Sequence, residues 1–131
     1  MYKYSKRSQD FLKQAHPYLQ LIFNDVIKHY DISIICTTRN EETQNMYYDE
    51  GVSQVKFPHG KHNKTPSLAV DFAVYNRGIS FNERDMTLVA GFIEGVAVSK
   101  GIDVKLGARW NKPWISENGF KDIGHIELVL D

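Results

Sequence analysis

The chain has 131 residues, 42% of them hydrophobic and 24% charged, and its 16 basic and 16 acidic side chains cancel to a formal net charge of zero. That length and composition suit one soluble globular domain, residues 1–131, with a core that needs no disulfide. Zero net charge supplies no basic field for nucleic acid, one cysteine builds neither an internal disulfide nor a cysteine zinc cluster, and no apolar run reaches the roughly 18 residues of a membrane span.

Met1 to Arg7 is basic, but no apolar segment follows it, so no signal peptide is expected. Ser5 or Ser8 is placed to cap a short first helix. Behind Pro17, Leu19, Ile22, Phe23, Val26, Ile27 and Tyr30 recur at three- and four-residue spacing, which predicts an amphipathic helix over residues 17–30. The β-branched run at 32–37 predicts a buried strand, with Cys36 as a buried thiol rather than a nucleophile. Asn40 caps a predicted helix through residue 50, stopped by Gly51. A polar loop at 52–67 precedes a strand at 68–75, which ends in the turn Asn76-Arg77-Gly78. A second long helix is predicted over about 84–100, with Leu88, Val89, Phe92, Ile93 and Val96 on its apolar face and Gly101 beyond its end. Strands at 104–106 and 126–130 flank a long loop, 107–124, of the kind that usually carries function.

Two clusters carry the chemistry. The first runs Lys61-His62-Asn63-Lys64-Thr65-Pro66-Ser67-Leu68-Ala69-Val70-Asp71, the second Lys121-Asp122-Ile123-Gly124-His125-Ile126-Glu127-Leu128. Asp71 interrupts an apolar strand, where an ionised carboxylate costs several kcal/mol unless it is paired or metal-bound. Two imidazoles and one carboxylate give Zn²⁺ three ligands and leave a fourth position open, the catalytic pattern. Asp122, three residues before His125, is then placed to act as a general base. Spacing alone leaves open that these are ordinary core or surface polar residues.

The ordered set Thr38-Arg39-Asn40 with Gln44, Gly51-Val52-Ser53, Lys61-His62 through Asp71-Phe72, Leu106-Gly107-Ala108-Arg109-Trp110-Asn111 and Asp122-Ile123-Gly124-His125 resembles the zinc D-Ala-D-Ala carboxypeptidase superfamily. The likeness is greatest to its phage branch, the L-alanyl-D-glutamate endopeptidase endolysins. The resemblance implies an α+β fold of the D-Ala-D-Ala carboxypeptidase/hedgehog type, a small antiparallel sheet with flanking helices. It further implies zinc held by His62, Asp71 and His125, with Asp122 polarising the attacking water. Arg39 is implied to steady the scissile carbonyl or its oxyanion. Here the spacing is His-x8-Asp where His-x6-Asp is commoner, so the extra residues must bulge ahead of the strand. Arg109 stands where one phage relative type has an Asp in a calcium-responsive loop, so calcium regulation is not carried over.

Around this set, Glu127 lies on the same strand face as His125, either orienting it or serving as an alternative base. His59 reads as an exposed loop residue, and His16 and His29 as helix-end residues. Lys61 and Arg109 are candidates to meet substrate carboxylates, and Trp110 and Trp114 to wall the cleft. The expected activity is hydrolysis of the L-Ala–D-Glu bond of peptidoglycan stem peptides by a monomeric enzyme. It would be made in the host bacterial cytoplasm and released to the wall through a separate pore during phage lysis. The alternatives are a carboxypeptidase acting on terminal D-Ala, a zinc-stabilised wall-binding module without activity, and a cytosolic peptidase of unrelated substrate.

Overall fold

A computed structural model describes residues 2–51, 53, 55–109 and 122–130. Helix α1 (Lys6–Lys13) starts at Ser5, whose side chain accepts from the Ser8 amide. Helix α2 (Pro17–Val26) starts at His16, whose Nδ1 accepts from the Tyr18 amide, so this histidine is a cap. The apolar periodicity continues to Tyr30, but beyond Val26 the backbone tightens. Lys28 and His29 donate to carbonyls three residues back, which ends the regular helix before the predicted boundary.

Helix α3 (Glu41–Asp49) is capped by Asn40, which accepts from the Thr43 amide, and Gly51 follows it at φ +77°. Helix α4 (Glu83–Ser99) buries Met86, Val89, Ala90, Ile93 and Ala97. Leu88, predicted on that buried face, is instead 60% exposed. The buried stripe therefore runs along the Ala90 and Ala97 side of the helix.

Strands β1 (Ile32–Cys36), β2 (Ala69–Tyr75), β3 (Ile79–Ser80), β4 (Val104–Leu106) and β5 (His125–Leu128) form one antiparallel sheet. Its order is β1-β2-β5-β4, and β3, too short to be read from periodicity, pairs with the end of β2. The β2–β3 turn places Arg77 at φ 60° and Gly78 at φ 144°. Side chains alternate across the sheet. Ile32, Ile34, Val70, Phe72, Ile126 and Leu128 join the core with α2 and α4, each stabilising by about 1.5–3 kcal/mol on full burial. Asp71, His125 and Glu127 fall on the alternate positions and therefore face the other way.

Two features aim this second face. Between Ile34 and Cys36 the β1–β2 register shifts, so Ile34 pairs with Phe72 while Cys36 pairs with Asp71. That bulge brings the thiol, not Ile35, opposite the carboxylate. At Gly124 an added Cβ would lie 2.4 Å from the Phe72 carbonyl oxygen, so only glycine lets the turn before β5 lie against β2.

Candidate active site

His62, Asp71, Asp122 and His125, far apart in sequence, line one cleft of about 1110 Å³ on the sheet face away from α2 and α4. Asp71 comes from the middle of β2 and His125 from the start of β5, and the two are direct partners across the ladder. His62 sits on a 3₁₀ turn (Lys61–Asn63) tied to the β1–α3 corner, because the Arg39 amide donates to the His62 carbonyl at 2.8 Å. Lys64, Thr65 and Pro66 are exposed between that turn and β2 and absorb the longer His-to-Asp spacing.

Asp71 Oδ1 lies 3.2 Å from His62 Nε2 and 3.1 Å from His125 Nδ1. The far nitrogens fix what these near ones carry. His62 Nδ1 lies 2.6 Å from the Thr37 carbonyl, which can only accept, so Nδ1 holds the proton. His125 Nε2 lies 3.0 Å from Glu127 Oε1, a carboxylate, and holds its proton there. With neutral rings, both lone pairs then point toward the same carboxylate oxygen. His62 Nε2 is buried and has no hydrogen-bond partner among the described residues.

The described groups whose ligand atoms lie within 4.8 Å of one another are Cys36, His62 and Asp71 on one side and Asp71, Asp122 and His125 on the other, with Asp71 common to both. Each lone pair repels the Asp71 oxygen it faces unless positive charge lies between them. Protons can supply it: burial pushes both imidazolium pKa values down, but Asp71 more than offsets this. His62 is held up at about 10 by the charge of Asp71 and His125 at about 9 by hydrogen bonds to Asp71 and Glu127. Burial would raise the Asp71 carboxyl, yet the His62 charge and the imidazole contacts hold it well below the usual carboxylate range. Two extra protons or one divalent cation satisfy the same demand. The donor set, two imidazoles and a carboxylate, suits zinc.

Asp122 Oδ2 lies 3.8 Å from His125 Nδ1. Burial, then the nearby Asp71 charge, pushes its carboxyl above the ordinary carboxylate value. Its backbone is held in place: the Asp122 carbonyl accepts from the His125 amide, and an added Cβ on Gly107 would lie 1.8 Å from that carbonyl oxygen. Glu127 is occupied with His125, whose hydrogen bond draws its carboxyl down, the arrangement that orients an imidazole ligand.

Arg39 lines the same cleft. Its Nη2 donates to Asp71 Oδ2 at 3.3 Å, its Nη1 donates to Gln44 Oε1 at 2.9 Å, and its guanidinium lies 4.8 Å over the Tyr47 ring. Lys61 also lines the cleft, whereas Arg109 turns to Glu94 of α4 with two contacts of 2.6 Å, so its expected role toward substrate gives way to an ion pair with a helix. His59 is exposed. Trp110 and Trp114 lie outside the described residues.

Cys36 is the site neighbour that sequence reasoning missed. Its Sγ is 3.8 Å from His62 Nδ1 and 3.7 Å from Arg39 Nη2, and it opens on the cleft. Only the bulge in β1 puts it there, and no composition signal marks that bulge.

The profile of the family described as phage L-alanyl-D-glutamate peptidase matches residues 1–129. The chain belongs to that family. This phage L-alanyl-D-glutamate peptidase family member matches no curated protein in sequence. Its fold is similar to that of the L-Ala D-Glu endopeptidase ChiX of Serratia marcescens, with a TM-score of 0.79 at 22% identity, covering 97% of this chain and 90% of that one. It is also similar to the LdcB LD-carboxypeptidase, with a TM-score of 0.56 at 18% identity, covering 89% of this chain and 58% of that one. At these identities the likeness is one of fold, the α+β architecture expected from the sequence. Family membership makes the chain a peptidase. Among the described residues no helix is long and apolar enough to cross a membrane.

Proposed function

We propose that this peptidase is zinc-dependent and hydrolyses the L-Ala–D-Glu amide of peptidoglycan stem peptides during phage lysis of the host. The observation that supports zinc most directly is the buried His62 Nε2, which makes no hydrogen bond among the described residues though it lies 3.2 Å from Asp71 Oδ1, the same oxygen that lies 3.1 Å from His125 Nδ1. Those three atoms would hold the ion. When bound, it supplies Lewis acidity, acidifying water and polarising a carbonyl at neutral pH.

The remaining work falls to side chains of the cleft. The Asp122 carboxylate takes a proton from the attacking water and returns it to the leaving amine of D-Glu, so that hydroxyl ends on the L-Ala acyl carbon and hydrogen on the amine. Arg39 offers fixed N–H donors where negative charge grows on the carbonyl oxygen, which stabilises the transition state more than the ground state. Glu127 keeps the His125 Nε2 proton in place and so leaves Nδ1 for the metal. A purely structural metal site has no use for Asp122, which argues against a binding module without activity.

The reading includes a monomeric protein that accumulates in the host cytoplasm and reaches the wall through a separate pore. The test is digestion of purified cell walls, with elemental analysis of the protein as purified. One zinc per chain, chelator-reversible clearing and newly exposed D-Glu amine are expected. Release of free D-Ala with no D-Glu amine would assign the carboxypeptidase specificity instead.

A further inference from the structure

Gln44 is a side-chain amide on α3 that is 1% exposed. Burying an amide is unfavourable unless its hydrogen bonds are made. Here they all are. Oε1 accepts from Arg39 Nη1 at 2.9 Å and from Asn63 Nδ2 at 3.4 Å. Nε2 donates to Ser53 Oγ at 2.9 Å and to the Val55 carbonyl at 2.5 Å. A guanidinium can only donate and a carbonyl can only accept, so the amide has one orientation.

Three parts of the chain meet on this side chain: the corner carrying Arg39, Ser53 with Val55, and the turn carrying His62. Asn63 reinforces the junction, its Nδ2 donating to the Arg39 carbonyl at 3.1 Å and its Oδ1 accepting from the Gly60 amide at 2.9 Å. A Cβ on Gly60 would lie 2.6 Å from that Oδ1, so the turn seats only with glycine there.

The chemistry of Arg39 shows what the junction is for. An arginine beside a carboxylate tends to pair with it through two parallel hydrogen bonds. A two-bond pair with Asp71 would spend the arginine's charge on the carboxylate meant for the metal. Arg39 instead makes one contact to Asp71 at 3.3 Å, gives Nη1 to a neutral amide, and leaves its buried Nε without a partner among the described residues. We infer that Gln44 is a positioning residue, which holds the Arg39 guanidinium turned away from a two-bond pair with Asp71 and so keeps its charge available to the substrate carbonyl. The inference rests on the peptidase mechanism above for its effect on rate, and on geometry alone for its effect on Arg39.

Two variants separate shape from hydrogen bonding. Gln44→Met keeps the volume and loses the bonds, and Gln44→Glu keeps the volume and gives Arg39 an anion. Each should lower kcat for stem-peptide cleavage about 10- to 100-fold, the scale of a displaced catalytic group, with KM within about threefold and zinc content unchanged. In an Arg39→Ala background, Gln44→Met should change kcat less than about threefold, because the group it positions is gone. Multiplicative losses in the double variant, or an unchanged kcat in Gln44→Met, overturn the assignment. Arg39 side-chain ¹⁵Nε relaxation gives a readout independent of turnover: rigid in the wild type, mobile in Gln44→Met. Unchanged rigidity there overturns the assignment too. Ser53→Ala, which removes one anchor of the amide near the surface, covers the case in which Gln44→Met does not fold, and should give the same pattern at smaller size. Wild-type protein that exposes no D-Glu amine would sink the mechanism while the relaxation result still decides the role of Gln44.

Discussion

Asp71 and His125 are direct partners across the β2–β5 ladder, and this pairing by itself brings Asp71 Oδ1 to 3.1 Å from His125 Nδ1. Two of the three proposed ligands are therefore set by strand register rather than by a loop. His125→Ala should bring zinc content from one per chain to near zero and abolish wall clearing, while far-ultraviolet circular dichroism stays native. A purified His125→Ala protein retaining a full equivalent of zinc would remove His125 from the ligand set.

Asp122 stands beside Asp71 and His125, two of the proposed ligands, and is the group with the raised carboxyl. Asp122→Asn should keep zinc and lose about 10²–10⁴ in kcat, the usual range for a general base. Glu127→Gln should behave differently, weakening zinc about 10- to 100-fold while turnover per bound zinc stays near normal. Full activity in Asp122→Asn would assign the proton transfers elsewhere.

The same cluster sets a pH dependence. In the metal-free protein His62 and His125 have pKa values raised from 6.5 to about 10 and about 9. A raised folded pKa contributes stability that is complete below 6.5 and lost as pH rises through 9 to 10. Asp71 works in the opposite sense: its lowered pKa contributes stability above the ordinary value of 3.8, lost as pH falls through the folded value. Metal-free protein should therefore melt progressively lower from pH 6.5 to 10. Zinc, which displaces the imidazolium protons, should bind more tightly over the same interval and flatten the decline. Calorimetric melts with chelator and with zinc check both halves.

Lys61 lines the cleft next to His62, and we propose that its ammonium meets a carboxylate of the substrate. The D-Glu residue carries a free carboxylate beside the scissile nitrogen. Lys61→Met should raise KM about fivefold with kcat little changed, the effect of losing roughly 1 kcal/mol of solvent-exposed pairing. Stem peptides with that carboxylate amidated should respond to the substitution hardly at all. Equal KM changes for both substrates would place the carboxylate elsewhere.

Gly124 and Gly107 mark the closest backbone approaches around Asp122. Gly124→Ala drives a methyl against the Phe72 carbonyl and should destabilise by at least about 1–3 kcal/mol, read from urea unfolding. Gly107→Ala drives one against the Asp122 carbonyl. It should cost activity out of proportion to stability, because the residue it displaces is the proposed base.

Much of this arrangement was legible beforehand because its signals are local or chemically odd. Asn40 and Gly51 bracket α3 through capping chemistry that needs no tertiary information. Asp71 stands out because a carboxylate in an apolar strand demands a partner, and the structure brings it against His62 and His125. What stayed hidden depends on register and packing. Cys36 reaches the cleft only through a bulge defined by its pairing with β2. Leu88 looks like core by spacing, yet the buried stripe of α4 runs through Ala90 and Ala97 and leaves it exposed. Gln44 looks like an ordinary polar helix residue, and only the convergence of Arg39, Ser53 and Asn63 on its amide reveals its buried role.

The sheet order has a consequence for how the enzyme comes into being. Strand β5 follows every other described strand in sequence, yet it is inserted between β2 and β4. Strands β1, β2 and β3 pair with one another without it, but β4 joins them only through this last strand, which carries His125 and follows closely on Asp122. The proposed site is therefore incomplete until the last of the described strands is in place.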